Sequence, residues 1–503
     1  MALLQFQNVS FAYEGSFDDV FTDLSFQIDT GWRLGLIGRN GRGKTTLLRL
    51  IAGELEARGG SVLIPLKPAL FPFAVPEGPL SAQDVMLSLA PDEHAWRLAA
   101  EANALALDAE LLRRPFTTLS RGEQTKVQLA ALFAREDAYP LIDEPTNHLD
   151  LEGRELVAEY LSKKQGFLLV SHDRSFLNRC ITHNISLNRS SVVVQRGNYD
   201  SWEREFTRKN EAEEARNEQL KKEIVVLKAS ARRLADFSFK AEKAKFNVHP
   251  SEVAAVDRGY MGARSADLMK RSLAVRAKID RDIREREGLL HDVERVGTLK
   301  LTPLEHPKRR LVEVRGAAVR YDERTVCEKI SFIVERGECV ALSGPNGCGK
   351  SSVLKTVCGL SGALQGEIHI PATIAISYVP QSTEHLKGEL DPFIAETNAD
   401  QTLFKAILRN MDFGRQQFDK DIAQYSEGQK KKLLLTRSLC TSAHLYVWDE
   451  PLNYIDVFSR IQLEALIREF KPTLLLVEHD RAFLDRVCDR IIRLGSPPNP
   501  AAF

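Results

Sequence analysis

The chain has 503 residues, a length that predicts about three folded units, each large enough to bury a core of its own. Its 69 basic and 69 acidic residues cancel, so any preference for nucleic acid or a membrane surface has to be local. The seven cysteines form no CxxC pair and no metal-ligand spacing, which argues against zinc and iron–sulfur sites and against a disulfide framework.

Residues 1–7 have no basic leader and alternate apolar with polar side chains, which predicts a strand and no signal peptide. The most apolar run, 473–477, stops at Glu478, far short of the roughly 18 residues that a membrane-spanning helix needs. We therefore expect a cytoplasmic protein, with reduced cysteines, that does not span a membrane.

The first glycine-rich segment, 38–46, follows a strand-like run and precedes a helical one. This context is typical of a phosphate loop, whose backbone amides and helix N-terminus face the phosphates of a nucleotide. We expect Lys44 to reach the β- and γ-phosphates and Thr45 to hold Mg²⁺. The other predicted nucleotide contacts in this loop are Gly38, Asn40, Gly41, Gly43 and Thr46.

Farther along the first half, a buried strand is predicted to end in the carboxylates Asp143 and Glu144. The aspartate suits Mg²⁺ ligation, and the glutamate is placed to polarise an attacking water. His172 follows the next apolar strand and is a candidate hydrogen-bond donor to the γ-phosphate. A histidine at a strand end is often structural, but its position 29 residues after Asp143 favours a supporting role in catalysis.

The composition changes in the middle of the chain, where residues 201–300 hold 23 lysines and arginines and 18 acidic residues. Apolar residues recur at helical spacing from Leu220 to Leu234 and again over 268–283. This pattern predicts two long antiparallel helices joined by a tip near 246–262.

Basic residues concentrate toward the far end of this predicted hairpin: 12 of them against 5 acidic residues between Lys228 and Lys278. A solvated helix face is the simpler explanation, but interleaved aromatic residues favour RNA binding. The predicted RNA contacts are Lys240, Lys243, Lys245, Arg258, Arg264, Lys270 and Arg271, and the predicted tip residues are Phe246, Val248, Val256 and Tyr260.

The second half repeats the motifs of the first in register, because Lys44 and Lys350, Ser120 and Ser426, and Asp143 and Asp449 are each 306 residues apart, and His172 and His479 are 307 apart. Chance matches would not share an offset, so the chain contains a duplicated domain. The second set of predicted nucleotide, metal and catalytic residues is Gly344, Asn346, Gly347, Gly349, Lys350, Ser351, Ser352, Asp449, Glu450 and His479.

Two further comparisons between the halves bear on function. Tyr13 and Tyr321 precede the loop lysines by 31 and 29 residues, and each is either strand filling or, as its repeated position favours, a ring that stacks on adenine. Gln381 is predicted to contact both nucleotide and metal. The matching stretch of the first half ends in Phe73, which cannot ligate Mg²⁺, so we expect two sites of unequal rate.

Segments 119–124 and 425–430, which contain Ser120, Gly122, Ser426 and Gly428, resemble the LSGGQ signature of ATP-binding cassette proteins. In both halves, 76 residues separate the loop lysine from the signature serine. The resemblance implies an α/β fold of two tandem ATP-binding cassettes, which are P-loop domains, joined by a long α-helical hairpin linker. The expected domains are 1–202, 203–305 and 306–503.

The same resemblance implies a monomer whose two cassettes close head to tail, so that ATP on the loop of one half meets the signature of the other. One composite site then uses Lys44, Thr45, Asp143, Glu144 and His172 with Ser426 and Gly428, and the other uses Lys350, Ser351, Asp449, Glu450 and His479 with Ser120 and Gly122.

Tandem cassettes with a basic-tipped helical linker resemble the ATP-binding cassette F family, whose members work on the ribosome. Residues 35–44, 261–264, 269–272 and 448–454 resemble its Lsa-type antibiotic resistance branch. The resemblance implies an ATPase that uses ATP and Mg²⁺ and enters the tRNA exit site of the 70S ribosome, against ribosomal RNA and the peptidyl-site tRNA. There it displaces lincosamides, pleuromutilins and group A streptogramins until hydrolysis releases it.

Three alternatives remain open at the level of sequence. A housekeeping translation factor of the same family shares every ATPase motif, and only the linker separates the two. The soluble ATPase of a membrane transporter would not need a basic hairpin. A DNA-repair cassette protein is disfavoured by the missing zinc-type cysteine pairs.

Overall fold

The computed structural model describes residues 2–14, 19–76, 78–187, 192–246, 275, 277–279, 281, 299–321, 324–361, 364–397 and 399–495, with the backbone alone over 234–246. The chain divides into one compact unit that combines Met1–Trp202 with Val296–Phe503 and a second unit of Glu203–Arg295. Both phosphate loops therefore lie in the same unit.

The first half alternates strands with helices. Its elements are β1 (Leu3–Phe11), β2 (Phe21–Asp29), β3 (Arg33–Gly38), α1 (Lys44–Ala52), β4 (Gly59–Leu63), β5 (Lys67–Phe71), α2 (Ala82–Leu89), α3 (Ala95–Ala104), α4 (Ala109–Arg113), α5 (Arg121–Ala134), β6 (Ala138–Asp143), α6 (Leu151–Ser162), β7 (Phe167–Val170), α7 (Arg174–Cys180), β8 (His183–Leu187) and β9 (Val192–Arg196).

The second half repeats this order. After α8 (Tyr199–Phe246) come β10 (Arg310–Tyr321), β11 (Arg324–Glu335), β12 (Cys339–Ser343), α9 (Lys350–Val357), β13 (Leu364–His369), β14 (Ile376–Val379), α10 (Leu390–Glu396), α11 (Gln401–Asn410), α12 (Glu427–Cys440), β15 (Leu445–Asp449), α13 (Val457–Phe470), β16 (Leu474–Val477), α14 (Arg481–Val487) and β17 (Arg490–Arg493).

Each half contains a sheet of parallel strands and a small antiparallel sheet. The larger sheets have the strand orders β5-β6-β7-β3-β8-β9 and β14-β15-β16-β12-β17, and β9 alone runs antiparallel to its neighbour among these strands. The smaller sheets are β2-β1-β4 and β11-β10-β13. Strands β7, β15 and β16 are buried at every residue, as strands covered on both faces must be.

The carboxyl ends of the central parallel strands deliver the predicted site residues to one edge of each sheet. β3 runs into the first phosphate loop, β6 ends at Asp143, and β7 is followed by His172. In the second half, β12 runs into the loop before Lys350, β15 ends at Asp449, and β16 is followed by His479. Ligands of open α/β sheets bind at this edge.

In the second unit, the described chain is mainly the helix α8, which has 48 residues and a length of about 70 Å. Of the predicted second arm, only 275, 277–279 and 281 are described as helical, and the rest lies outside the described residues. Among the helices of the described ranges, none is both long and apolar enough to cross a membrane. All seven cysteines lie in described segments, where they are free thiols.

Candidate active site

Each phosphate loop ends where a helix begins. Gly43 precedes α1 with a φ of 86°, and Gly349 precedes α9 with a φ of 93°. Glycine adopts this left-handed backbone at little cost, and at Gly43 a Cβ would also come within 2.6 Å of Val20 Cγ1. The tight turn lets successive backbone amides converge on one point, as binding of a phosphate requires.

The two loop lysines are buried and fold back over their own loops. Lys44 Nζ donates to Gly38 O at 2.8 Å, and Lys350 Nζ donates to Gly344 O at 2.7 Å. Burial lowers the pKa of Lys44, and Asp456 of the second half is first among the carboxylates that oppose this shift. An ammonium group therefore lies within each loop, next to where a nucleotide phosphate would bind.

The residues that follow the lysines face the aspartates at the strand ends. Thr45 Oγ1 donates to Asp143 Oδ2 at 2.8 Å, and Ser351 Oγ donates to Asp449 Oδ1 at 3.1 Å. Asp449 Oδ2 is buried and has no hydrogen-bond partner in the described structure, and burial raises the pKa of this carboxyl to about 6. Hydroxyl and carboxylate oxygens are ligands that suit Mg²⁺, so the donor set fits that ion.

The two glutamates next to these aspartates have an unusual backbone. Glu144 and Glu450 have left-handed φ angles of 50° and 46°. Such a conformation costs roughly 1–3 kcal/mol for a residue other than glycine. It is held by the neighbouring strands, because the backbone amides donate to Val170 O and Val477 O, each at 2.9 Å. Strain of this kind concentrates at functional sites.

Each predicted catalytic histidine lies beside the glutamate of its own half. His172 Nε2 is 3.3 Å from Glu144 Oε1 and 3.1 Å from Asn40 Oδ1, and His479 Nε2 is 3.6 Å from Glu450 Oε1. Burial, reinforced by nearby cations, holds the pKa of His172 well below its usual range. His172 is therefore neutral near pH 7, with one ring nitrogen able to donate.

Amide groups surround the glutamate of the second half. Gln381 Nε2 donates to Glu450 Oε2 at 2.8 Å, and Asn453 Nδ2 donates to the same oxygen at 2.6 Å. Burial would raise the pKa of Glu450, but interactions with His479, Gln381 and Lys431 outweigh it and lower the pKa to about 2. Gln381, predicted to contact metal and nucleotide, here turns its amide nitrogen toward this glutamate.

The glutamate of the first half lacks this support. Phe73 stands where Gln381 stands in the other half, and its backbone amide donates to Gln128 Oε1 at 2.9 Å. Burial raises the pKa of Glu144 to about 8, and the charge of Asp143 adds to the shift. The two glutamates thus differ in protonation at neutral pH, although their positions in the sequence pattern are the same.

The signature of the second half lies against the phosphate loop of the first. Asn40 Nδ2 donates to Tyr454 O at 2.8 Å, and a Cβ placed on Gly428 would lie 3.1 Å from Asn40 Nδ2. Tyr454 belongs to the loop that follows Glu450.

The reciprocal contact joins the phosphate loop of the second half to the first half. Asn346 Nδ2 donates to His148 O at 3.3 Å, and the Asn346 backbone amide donates to Asp150 Oδ2 at 3.3 Å. A Cβ on Gly122 would meet His148 O at 3.1 Å. The two halves therefore face each other head to tail, with each loop opposite the other half's signature.

The signature serines also cap the helices that they precede. Ser120 accepts from the backbone amide of Glu123 and Ser426 accepts from that of Gln429, each at 3.3 Å, in complete capping boxes. These contacts satisfy backbone donors in the first turn of each helix and fix where the helix begins.

The tyrosines predicted to stack on adenine are anchored by their hydroxyls. Tyr13 Oη lies 2.9 Å from Thr46 Oγ1, and Tyr321 Oη hydrogen-bonds to Ser352 Oγ. Their side chains are 41% and 51% exposed. Thr46 and Ser352, predicted as nucleotide contacts, here position the tyrosines.

Sequence reasoning missed the loops after the catalytic glutamates as site components. Residues 147–150 and 453–456 supply contacts across the two halves, including those of His148, Asp150 and Tyr454. The signal that could have found them is the shared Pro-x-Asn-x-x-Asp pattern at the 306-residue offset, which begins at Pro145 and Pro451.

Charge pairing between the halves was also missed. Arg174 Nη1 lies 2.9 Å from Glu464 Oε1, and both side chains are almost fully buried. The Phe458 ring contacts the Trp202 ring at 5.9 Å and the Arg39 guanidinium at 4.9 Å. Arg174 lies in the segment His172-Asp173-Arg174, which recurs as His479-Asp480-Arg481, but nothing in this repeat indicates Glu464 as its partner.

The linker predictions fall largely outside the described side chains. Lys240, Lys243, Lys245 and Phe246 lie on the helical backbone of α8, with no side-chain contact described, and Val248, Val256, Arg258, Tyr260, Arg264, Lys270 and Arg271 lie outside the described residues.

Residues 21–147 and 327–453 each match the family model described as ABC transporter. The chain is 31% identical to the ATP-binding protein Uup of Caulobacter vibrioides, over 94% of this chain and 74% of that protein. It is 27% identical to the ABC transporter F family member 2 of Arabidopsis thaliana, over 98% of this chain and 76% of that one. The chain belongs to the ATP-binding cassette F family. It is an ATPase with two ATP-binding cassettes.

Another relative of this cassette F protein is the ribosome protection protein VmlR of Bacillus subtilis, at 28% identity over 95% of this chain and 84% of that protein. Among solved structures, an archaeal ribosome recycling factor in complex with a ribosomal stalk protein aligns over 98% of this chain and 88% of its own, with a TM-score of 0.63 and 18% identity. At that identity the likeness shows the tandem-cassette fold alone.

Proposed function

We propose that this ATPase is a cytoplasmic ribosome-binding factor that enters the tRNA exit site and displaces antibiotics from the peptidyl-transferase centre. The drug classes are lincosamides, pleuromutilins and group A streptogramins. The observation that carries the proposal is the similarity to a ribosome protection protein over 95% of this chain and 84% of that protein. The basic, aromatic linker sequence between the cassettes adds support, since phosphate contacts and stacking combine in RNA binding.

In the proposed mechanism, ATP is bound between the phosphate loop of one cassette and the signature of the other. Lys44 and the backbone amides of its loop hold the phosphates, and Tyr13 supports the adenine ring. Gly428 closes the site from the second cassette, as its approach to Asn40 allows. The reciprocal site uses the corresponding residues of the other half. Thr45 and Asp143 at one site, and Ser351 and Asp449 at the other, would hold Mg²⁺, which would supply charge neutralisation at the phosphates.

Glu144 and Glu450 then orient and polarise the attacking water, while His172 and His479 donate to the γ-phosphate. Binding of ATP at both sites favours the closed, ribosome-bound arrangement, and hydrolysis lets the cassettes separate. The linker tip, residues 248–260, is the part proposed to reach the drug pocket.

The test shortens the tip. Replacing 248–260 by a Gly-Ser turn removes Val248, Val256 and Tyr260 but begins beyond the end of α8 and touches no nucleotide motif. We expect ATP-dependent ribosome association to persist and protection to be lost. The readout is the inhibitory concentration of each drug in cells that express intact or shortened protein at matched levels.

A housekeeping translation role is the second candidate, because the chain is also similar to the Caulobacter ATP-binding protein Uup, whose name carries no protection function, at a slightly higher identity than to VmlR. Intact protein that binds ribosomes yet protects against no drug of the peptidyl-transferase centre supports this candidate and refutes the resistance function.

A further inference from the structure

Lys431 lies inside the second cassette, one turn into α12, and its side chain is only 1% exposed. Its Nζ donates to three backbone carbonyls: Pro380 O at 2.9 Å, Asp449 O at 3.1 Å and Gln381 O at 3.3 Å. An ammonium group has three donors, and each of them here has a carbonyl acceptor.

These carbonyls belong to segments that hold the second ATP site. Gln381 contacts Glu450 through its amide, and Asp449 ends the strand β15. The N-terminal end of α12 faces the first ATP site instead, since Gly428 approaches Asn40 of the first phosphate loop. The Lys431 side chain thus joins the backbone of the second ATP site to α12, the helix whose N-terminal end completes the first ATP site.

A second contact joins the same two segments. Thr383 Oγ1, two residues after Gln381, donates to Glu427 Oε2 in the first turn of α12. The first turn of α12 and its interior therefore both bind to the segment 380–383, which follows β14.

The first cassette is built differently at this point. Thr125 occupies the position that corresponds to Lys431, and its short side chain cannot span to the backbone of the opposite strand ends. Among the described residues, a neutral hydrogen bond from the Phe73 amide to Gln128 Oε1 connects α5 to the segment that follows β5. The connection between helix and strand is stronger in the second cassette.

The buried charge makes the Lys431 connection stiff. Burial lowers the pKa of Lys431 to about 8, and the nearby Asp449 and Glu450 oppose that shift. A charged ammonium that lost its carbonyl partners in this interior would be left buried and unpaired, which is strongly unfavourable. Displacement of the Gln381 and Asp449 backbone should therefore move α12 with it.

We propose that Lys431 is a positioning residue that couples the two ATP sites, so that ATP binding at the second site sets the position of the signature that completes the first. The proposal rests on the ATPase activity and not on the ribosomal role, because it concerns contacts within the cassettes.

The test loads only the second site with ATP and measures the response of the signature of the second half. In a Lys44→Ala, Glu450→Gln protein, ATP binds at the second site without being hydrolysed there. Amide hydrogen exchange of residues 426–430 is measured with and without Mg-ATP. With Lys431 intact, we expect ATP to slow exchange about tenfold, a typical strength for coupling between sites. In Lys431→Met the effect should fall below about twofold.

Lys431→Gln keeps part of the donor set and should give an intermediate effect, which a purely structural role in filling the core would not produce. If Lys431→Met fails to fold, Lys431→Gln alone still tests the proposal, because a full tenfold response of exchange to ATP in Lys431→Gln contradicts it. The mirror control is Thr125→Val in a Lys350→Ala, Glu144→Gln protein, where the response of residues 120–124 should not change. If ATP slows amide exchange of residues 426–430 equally in the protein with Lys431 and in the Lys431→Met protein, the coupling role is overturned.

Discussion

A Glu450→Gln protein, in which Glu144 is the remaining catalytic glutamate, should hydrolyse ATP about ten times faster at pH 9 than at pH 7. Water activation requires the carboxylate form, and burial together with Asp143 raises the pKa of Glu144 to about 8. A group with this pKa is roughly one-tenth ionised at pH 7 and nine-tenths ionised at pH 9. The ATPase activity of the Glu450→Gln protein therefore rises as the pH increases through the folded-state pKa of Glu144.

The Glu144→Gln protein provides the matched comparison. The pKa of Glu450 is lowered to about 2, so this carboxylate is fully ionised across pH 6–9 and the rate should be nearly flat. At pH 7, Glu450→Gln should consequently lower turnover more than Glu144→Gln. The assay is phosphate release at saturating Mg-ATP, with the double Glu→Gln protein as background.

A repair variant tests the cause of the difference. Phe73→Gln places an amide donor where Gln381 supports Glu450, and it should lower the pKa of Glu144 and flatten the pH profile of the Glu450→Gln protein. Phe73→Leu, which adds no donor, should leave the profile steep. Superimposable pH profiles for the two single-site proteins would refute this explanation of the unequal sites.

Three other perturbations have defined outcomes. Tyr13→Ala should weaken ATP binding roughly 5- to 150-fold, the equivalent of about 1–3 kcal/mol of stacking. Tyr13→Phe keeps the ring, so it should weaken ATP binding by less than about tenfold. Equal losses of affinity in the two variants would exclude stacking. Arg174→Met should weaken closure of the cassettes by about 1–3 kcal/mol, because its partner Glu464 is buried. The expected readout is a higher ATP concentration for half-maximal turnover. Arg481→Met, at the exposed pair with Glu155, should have almost no effect. Neutralising the basic linker should flatten the salt dependence of ribosome binding by roughly 0.7–0.9 in log–log slope for each lost phosphate contact, and an unchanged slope would mean a merely solvated face. The residues to neutralise are Lys240, Lys243, Lys245, Lys270 and Arg271.

The sequence was sufficient to predict the tandem α/β cassettes, because a strand–loop–helix motif has few structural solutions and its repetition at one offset excludes chance. The resemblance to cassette proteins implied that Thr45, Asp143, Glu144 and His172 share one composite site, and in the structure Thr45 contacts Asp143 and His172 lies beside Glu144. Asp143 and Glu144 follow β6, His172 follows β7, and Thr45 lies in the first turn of the helix after β3, so the topology brings all four to one edge of the same sheet.

The sequence could not predict what depends on packing between the halves. Arg174 and Arg481 occupy equivalent positions of a repeated His-Asp-Arg segment, yet Arg174 is buried against Glu464 while Arg481 is exposed, so the repeat does not predict the buried pair. The left-handed backbone of Glu144 is imposed by its hydrogen bond to the neighbouring strand. Lys431 lies in a run of three lysines, a pattern that usually indicates a solvated helix face. Its burial is made possible by the carbonyl groups that accept from it, which belong to the segment after β14 and to the last residue of β15.

The most direct test of the ribosomal assignment uses the Glu144→Gln, Glu450→Gln protein, which should bind ATP but not hydrolyse it. When sedimented with purified ribosomes, it should be found in the ribosomal fraction with Mg-ATP and remain free without nucleotide, because the closed state cannot be released. Lys44→Ala and Lys350→Ala together, which remove the phosphate-binding ammonium groups, should abolish this association. Double Glu→Gln protein that stays free of ribosomes in the presence of Mg-ATP would contradict the ribosomal function.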